Sequence, residues 1–481
     1  MYDQRDATTG LFRPALVIDG ARATAAAELS VINPATGAPV GTCPDIDRAM
    51  FDLAVRAARA GADVWKATPM ERRREALRLM ADRIEANLDS LTAMLTAEQG
   101  KPLAAARGEI ANTALTIREV ADLDLPPEVL QDDETLRIER HRVPLGVVAA
   151  IAPWNFPIKL GYWKVAPALL TGNAVILKPS PFTPLTTLAI GELIHDLLPR
   201  GVFQTVAGGD AVGPWLTEHP DIDKVSFTGS SATGSRVMAS ASGSLKRVTL
   251  ELGGNDAAIV LDDADVETVV PKVFWAAFRN SGQVCIASKR IYVHDSLFDA
   301  FRDRFVAMAK SVRVGNGVED GIELGPIQNK LQFDKVMALV ADCKRTGLAV
   351  HEGPLDPSAS ARGYFVPVTV VETPPEESRI VQVEPFGPIV PLLKYSSLDE
   401  VIGRVNASDY GLGGSVWTSD PGRGAEVAAR IDSGIVWIND AQAINTVTPF
   451  GGMKKSGMGV ESGIEGLAEY TAGKTIVLRR G

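Results

Sequence analysis

Cysteine is scarce in this chain: Cys43, Cys285 and Cys343 are the three in 481 residues, odd in number and far apart. That excludes a disulfide framework and any CxxC metal pattern. A reducing, cytoplasmic compartment is expected, where a reactive thiol stays usable. A basic excess is also missing. The 49 Lys and Arg against 59 Asp and Glu leave a net charge of -10, which argues against a surface that tracks phosphates and hence against nucleic acid as a partner. The basic run in Glu71-Arg-Arg-Arg-Glu reads as a solvated helical face. No run approaches the roughly 18 apolar residues of a membrane span. The start, Met1-Tyr-Asp-Gln-Arg-Asp, has no basic-then-apolar signal pattern. Internal repeats, low-complexity tracts and the GxGxxG fingerprint are absent. No cluster of metal ligands is visible, so no metal is expected.

What is present is ordinary globular composition, 46% hydrophobic and 22% charged, on a chain too long for one core. The first thirty residues carry little pattern and suggest an arm plus an edge strand. From Asp47 to about Arg107 apolar residues recur at helical spacing: Ala54, Val55, Ala58 and Ala62, then Ala76, Leu77, Met80 and Ile84. Between Asp122 and Arg142 the pattern breaks at Pro126-Pro127 and alternates around Thr135-Arg140, as a projecting ribbon would.

Short apolar runs then alternate with helical segments, at Gly146-Ile151, Asn173-Lys178, Phe203-Gly208, Lys224-Gly229 and Arg247-Leu252. Continuous apolar strands between helices imply a parallel sheet covered on both faces. The alternation restarts after Gly253-Gly254, with strands expected at Ala257-Val260, Arg290-Val293, Ile389-Leu393 and Ile435-Ile438. The fold class is therefore α/β, with two doubly wound parallel-sheet domains and a small β ribbon. The tail from Lys474 looks like one more exposed strand.

Three segments carry chemistry. Cys285 lies in Asn280-Ser-Gly-Gln-Val-Cys-Ile-Ala-Ser, Glu251 leads Glu-Leu-Gly-Gly-Asn, and Asn155 sits in Pro153-Trp-Asn-Phe-Pro. Each residue has a bland reading: a packed core thiol, a solvated carboxylate, a turn asparagine. Together they offer a soft nucleophile, a base and an oxyanion donor. A loop-to-helix junction is expected at Cys285, with helix amides favouring the thiolate. A tight reversal at Gly253-Gly254 is expected to re-aim Glu251. His is scarce, five residues with none in these segments, so a carboxylate must supply base catalysis. Phe227-Thr-Gly-Ser-Ser-Ala-Thr-Gly234 runs from strand to helix and could cradle a pyrophosphate.

These motifs, in this order and spacing, resemble those of the aldehyde dehydrogenase superfamily from about Ile32 to Lys474. The resemblance implies oxidation of an aldehyde to a carboxylic acid with NAD or NADP. It makes Cys285 the nucleophile, Glu251 the base that activates water, and Asn155 the oxyanion donor beside the Cys285 N–H. It implies a Rossmann-like dinucleotide-binding domain (residues 1–121 and 143–253), a catalytic domain (254–447), and an oligomerisation ribbon and tail (122–142 and 448–481). In the family, ribbon and tail pair between subunits, so a homodimer or homotetramer is expected. Cofactor contacts fall on Trp154, Lys178, Ser180, Pro181, Gly229, Ser230, Gly253, Glu384 and Phe386. Leu160, Trp163, Arg279, Val284, Ile286, Asp440, Gln442 and Ile444 line the substrate tunnel, with Asn439 and Pro449-Phe-Gly-Gly near its mouth. The polar members of that set either meet polar groups of the substrate or merely face solvent. One departure concerns Pro181, where many NAD-preferring relatives carry an acid that grips the adenosine ribose. NAD is the favoured cofactor, against NADP by a reduced margin. A CoA-acylating dehydrogenase, a thiol esterase and a non-catalytic binding protein are the alternatives. The first generally lacks the carboxylate found at Glu251.

Overall fold

In the computed structural model of the chain, residues 10–357 and 361–480 are described. Four successive helices, Arg48–Ala67, Met70–Glu85, Leu88–Gln99 and Leu103–Ala121, follow the first two short strand pairs. Asp47 starts the first of them by accepting a hydrogen bond from the Met50 N–H at 2.8 Å, which satisfies a donor the helix cannot use itself. The helix buries Ala54, Val55, Ala58 and Ala62, the periodic positions of the sequence, and ends before Pro69.

These helices cover a sheet that, among the described residues, has eight strands. Its centre is five parallel strands in the order Phe203–Thr205, Ala174–Lys178, Val147–Ile151, Lys224–Thr228, Arg247–Glu251. Ala174–Lys178, Val147–Ile151 and Lys224–Thr228 are buried at every position, as expected for apolar strands shielded on both faces. Strand order reverses between Val147–Ile151 and Lys224–Thr228. In such sheets the crevice beyond the strand ends at the reversal is the ligand site, and here Trp154, Asn155, Gly229 and Ser230 follow those two ends directly.

A second sheet runs in the order Ala349–Glu352, Thr369–Glu372, Ile389–Tyr395, Ser288–His294, Asp256–Val260, Gly413–Trp417, Ile435–Ile438. All neighbours are parallel except the first pair. Three of these strands, Ala349–Glu352, Thr369–Glu372 and Gly413–Trp417, go beyond the sequence expectation. The last begins with two glycines that look like a turn. Gly413 is there for clearance: a Cβ on it would lie 2.4 Å from Asp256 Oδ2.

The ribbon is real, with Glu128–Asp132 paired antiparallel to Leu136–Pro144. Within the chain its partner is the tail. The tail Thr471–Arg479 forms a nine-residue antiparallel ladder with Leu136–Pro144 of the same chain, because the chain returns to the ribbon after the second sheet. Residues 448–470, grouped with the tail in the sequence reading, contain two short strands, one in a separate two-stranded sheet and one at the edge of the first sheet. Met453–Lys454 pairs with Tyr410–Gly411, and Gly457–Met458 pairs with Arg247–Glu251. Leu467 and Tyr470 pack into the first core.

Candidate active site

Cys285 lies where the ends of the two sheets meet. The helix Val266–Phe278 ends at Arg279, and a short turn follows in which Asn280 and Ser281 adopt left-handed backbone, φ 53° and 56°. The chain then enters the strand Ser288–His294. The expected loop-to-helix junction is therefore absent. Cys285 precedes a strand, so no helix amides stabilise its thiolate. Burial pushes the thiol up to about 12, opposed by the Lys289 ammonium and reinforced by the carboxyls of Asp256, Glu251 and Glu384. At rest the nucleophile is a protonated thiol.

Asn155 is 4% exposed, and its Nδ2 donates to the Gln283 carbonyl at 3.0 Å. Its backbone carbonyl accepts from Lys101 Nζ at 3.0 Å and Asn280 Nδ2 at 3.2 Å. The carboxamide is thus fastened to the loop that carries Cys285, with a second N–H left over. Among the described residues, the Cys285 N–H donates to no backbone carbonyl, so two donors remain for an oxyanion.

Glu251 ends its strand, pairing with Thr228 on one side and Gly457 on the other. The carboxylate is buried, and neither oxygen has a hydrogen-bond partner. Burial drives its pKa well above the ordinary carboxylate range. The Glu461 carboxylate adds to the rise, and the Lys164 ammonium opposes it. Lys164 and Glu461 form a buried ion pair at 2.7 Å. Gly253 and Gly254 have no left-handed backbone, so they do not make the expected reversal. They permit close approach instead: a Cβ would lie 2.4 Å from Glu384 Oε2 at Gly253 and 2.6 Å from the Cys285 carbonyl at Gly254.

Glu384 Oε1 accepts from the Gly254 N–H at 3.1 Å and from Lys289 Nζ at 2.8 Å. Lys289 also donates to the carbonyls of Gly254 at 2.9 Å and Cys285 at 2.6 Å. This fully buried lysine ties Glu384 to the Cys285 loop and to Gly254, and the sequence reading missed it. Its signal was available: a charged residue four places after Cys285 at the start of a buried strand. Phe386, at φ 45°, sets its ring edge-on to Trp154 with centroids 5.3 Å apart.

At the crevice of the first sheet, Ser230 caps the twelve-residue helix Ser231–Ser242 by accepting from the Thr233 N–H. Gly229 has no room for a side chain, since a Cβ would lie 2.4 Å from the Phe227 ring. Lys178 is 6% exposed, its Nζ donates to the Pro179 carbonyl at 3.1 Å, and burial lowers it to about 8. Ser180 is buried, and Pro181 is half-buried in the adjoining turn. A buried lysine without a carboxylate partner, a glycine forced to be bare and a helix start at a switch point fit a dinucleotide.

The pocket around Cys285 gathers Leu160, Trp163, Val284, Ile286 and Ile444 into one apolar cluster with Phe156 and Phe450. The Trp163 and Phe450 rings lie 5.8 Å apart. The polar residues expected there divide. Gln442 spends its Nε2 on the carbonyls of Ala276 at 2.7 Å and Ile286 at 3.3 Å, so it braces the wall. Asp440 is exposed and accepts from the Ala441 N–H at 2.7 Å. Asn439 accepts from the Thr418 N–H at 2.9 Å. Arg279 is exposed at the edge of the cluster's loop. Among the described residues, no group of three or more His, Cys, Asp or Glu side chains is placed to hold a metal, and no helix is long and apolar enough to cross a membrane.

The chain is similar to known proteins over nearly its whole length. The profile of the aldehyde dehydrogenase family matches residues 21–476. A Pseudomonas protein described as a probable aldehyde dehydrogenase is 43% identical, covering 97% of this chain and 94% of its own length. The phenylacetaldehyde dehydrogenase of Pseudomonas fluorescens is 37% identical, with 94% and 92% covered. The NAD+ complex of a Bacillus cereus aldehyde dehydrogenase superposes with a TM-score of 0.93 at 34% identity, covering 97% of this chain and 96% of that one. A match over nearly the whole length, with thiol, carboxylate and carboxamide brought to one crevice, means that this chain belongs to the aldehyde dehydrogenase family.

Proposed function

We propose that this NAD(P)-dependent aldehyde dehydrogenase works through a covalent Cys285 intermediate that water resolves. Cys285 Sγ attacks the aldehyde carbon. The resulting alkoxide is held by the free N–H of Asn155 and the N–H of Cys285, each donor of this kind being worth on the order of 3 kcal/mol in the transition state. The thiol must first lose its proton, and Glu251, whose carboxylate adds to the rise in the Cys285 pKa, is the acceptor within the pocket. Bound NAD(P)+ supplies the hydride acceptor. Lys178, Ser180 and Pro181 would hold its adenosine end, Gly229 and Ser230 its phosphates, and Trp154, Gly253, Glu384 and Phe386 its nicotinamide end. Once the acyl group is a Cys285 thioester, Glu251 takes a proton from water, which attacks the acyl carbon and releases the carboxylic acid.

The observation that carries this reading is the buried Glu251 carboxylate with both oxygens unsatisfied. Such a group costs stability unless a ligand or water completes it. The same observation favours hydrolysis over transfer to CoA. Stoichiometric NADH formation from an aldehyde, measured with and without CoA, tests it. CoA-dependent turnover would transfer the function to the acylating class, and thioester hydrolysis without nucleotide reduction would indicate an esterase.

Residues 1–121 and 143–253 form the dinucleotide-binding domain in this proposal, and 254–447 the catalytic domain. NAD is the favoured cofactor, and a reducing cytoplasm keeps Cys285 as the thiol. A homodimer or homotetramer fits the three-stranded ribbon sheet, whose outer strands expose Val129, Leu130, Val477 and Leu478 at about half of their surface. Light scattering that returned a monomer at micromolar concentration would refute it.

A further inference from the structure

Shortly after Gly254 the chain sets a charged residue at the head of a fully buried strand. Asp256 is 4% exposed and opens Asp256–Val260, beside Ser288 of the strand that follows Cys285. Two glycines leave room for its carboxyl. A Cβ on Gly413 would lie 2.4 Å from Oδ2, and one on Gly254 would lie 2.9 Å from Oδ1. That same point on Gly254 is 2.6 Å from the Cys285 carbonyl. Asp256 therefore adjoins the loop that carries the nucleophile.

Its bonding is incomplete. Oδ1 accepts from the Gly413 N–H at 3.1 Å, and among the described residues Oδ2 has no hydrogen-bond partner. Two cations of the strand Ser288–His294 act on it through space, and neither donates to it. Lys289 spends its three donors on Gly254, Cys285 and Glu384. Arg290 gives its guanidinium to the carbonyls of Asn255, Arg404 and Val405 and to the Tyr292 hydroxyl. Asn255 Oδ1 is also unpartnered. Asn255 and Asp256 line, with Arg290, Tyr410 and Ser433, a cavity of about 10 Å³, the space of about one water.

A carboxyl that feels cations without being clamped by them is free to exchange its proton. Burial raises its pKa to about 7. Lys289, the Gly413 N–H and Arg290 oppose that rise, and Glu384 reinforces it. On the thiol the two neighbouring charges act in opposite senses: the Lys289 ammonium lowers the proton affinity of Cys285, and the Asp256 carboxylate raises it.

We propose that Asp256 is a positioning residue that governs the reactivity of Cys285 from beneath its loop. As an anion it offsets the Lys289 charge at the thiol and holds the resting nucleophile protonated. As a neutral acid it withdraws that opposition. This rests on Cys285 as the nucleophile of the proposed cycle, and its readout needs no aldehyde turnover.

The experiment follows the reaction of Cys285 in the full-length enzyme with 2,2′-dithiodipyridine, which is uncharged across the range used. The thiolate attacks one sulfur, the S–S bond breaks, and pyridine-2-thione leaves and is read by its absorbance. Cys285→Ala supplies the background. Asp256→Asn keeps an acceptor for the Gly413 N–H at nearly equal size and removes the charge. Because the thiolate is the reacting species, the variant should react about fivefold faster than the wild type at about pH 8.5, where Asp256 is ionised, and at an equal rate at about pH 5.5, where it is not. Equal rates at both pH values, or the same acceleration at both, overturn the proposal. A second measurement leaves Asp256 unchanged. In Glu251→Gln, which cannot ionise at that position, the logarithm of the rate should climb with a slope below one around pH 7 and with unit slope by about pH 9. Unit slope throughout overturns the proposal as well. An enzyme that oxidised no aldehyde yet showed the pH-dependent ratio would refute the dehydrogenase cycle and support the charge control.

Discussion

The ends of the two parallel sheets converge on Cys285, yet each brings its carboxylate in an opposite state. On the first sheet Glu251 is buried with neither oxygen satisfied. On the second, Glu384 is pinned by the Gly254 N–H and Lys289. A carboxylate that must exchange protons has to stay free of fixed donors, because each such bond would stabilise the anion and weaken the base. One that positions a ligand has to be held in place.

The comparison can be broken at its shared point. Cys285→Ala should lower aldehyde oxidation by at least about 1,000-fold while leaving dinucleotide binding in place. Equilibrium binding and steady-state turnover check both halves, and near-normal turnover would remove the covalent mechanism.

On the free carboxylate, Glu251→Gln should slow thioester hydrolysis by on the order of 100-fold and leave a rapid burst of NADH before a slow steady state. Uniform slowing without a burst would move Glu251 to the acylation step alone. The same variant has a pH signature. The folded carboxyl holds its proton above the unfolded value of 4.5, so stability is present below that value and lost as pH rises through the higher folded value. Gln cannot ionise. The stability gained by Glu251→Gln should therefore be larger at alkaline than at acidic pH, and thermal melts across pH read it directly.

On the pinned carboxylate, Lys289→Met should cost on the order of 3 kcal/mol of stability, since Glu384 would lose its buried partner. Denaturant unfolding measures this. A loss no greater than for a surface lysine would mean the link does not hold the loops together.

The smallest effect belongs to the far end of the cofactor crevice. Discrimination between NAD and NADP should be below roughly 100-fold in kcat/KM, about 2.7 kcal/mol. Pro181→Glu should push it further toward NAD by repelling a 2′-phosphate. Stronger native discrimination would place the determinant outside this turn.

Much of the fold was legible because fully buried parallel strands read as continuous apolar runs, as at Val147–Ile151 and Lys224–Thr228. Gly413–Trp417 was not, since its first glycine answers to Asp256 and Trp437 across the sheet rather than to a turn. The ribbon was visible, but its intrachain ladder with Thr471–Arg479 spans too much sequence for a local pattern to specify.

The residue types that carry the chemistry, their order, and the apolar alternation of both sheets were determined by the sequence alone, because these are local properties of the chain. Tertiary structure decided what each group feels. It left Glu251 without a hydrogen-bond partner, joined Lys289 to Glu384 across 95 positions of sequence, and kept the Cys285 thiol protonated. Solvation and Coulomb interaction act through space, so burial and distant neighbours set a side chain's charge and reach, and the fold alone specifies them.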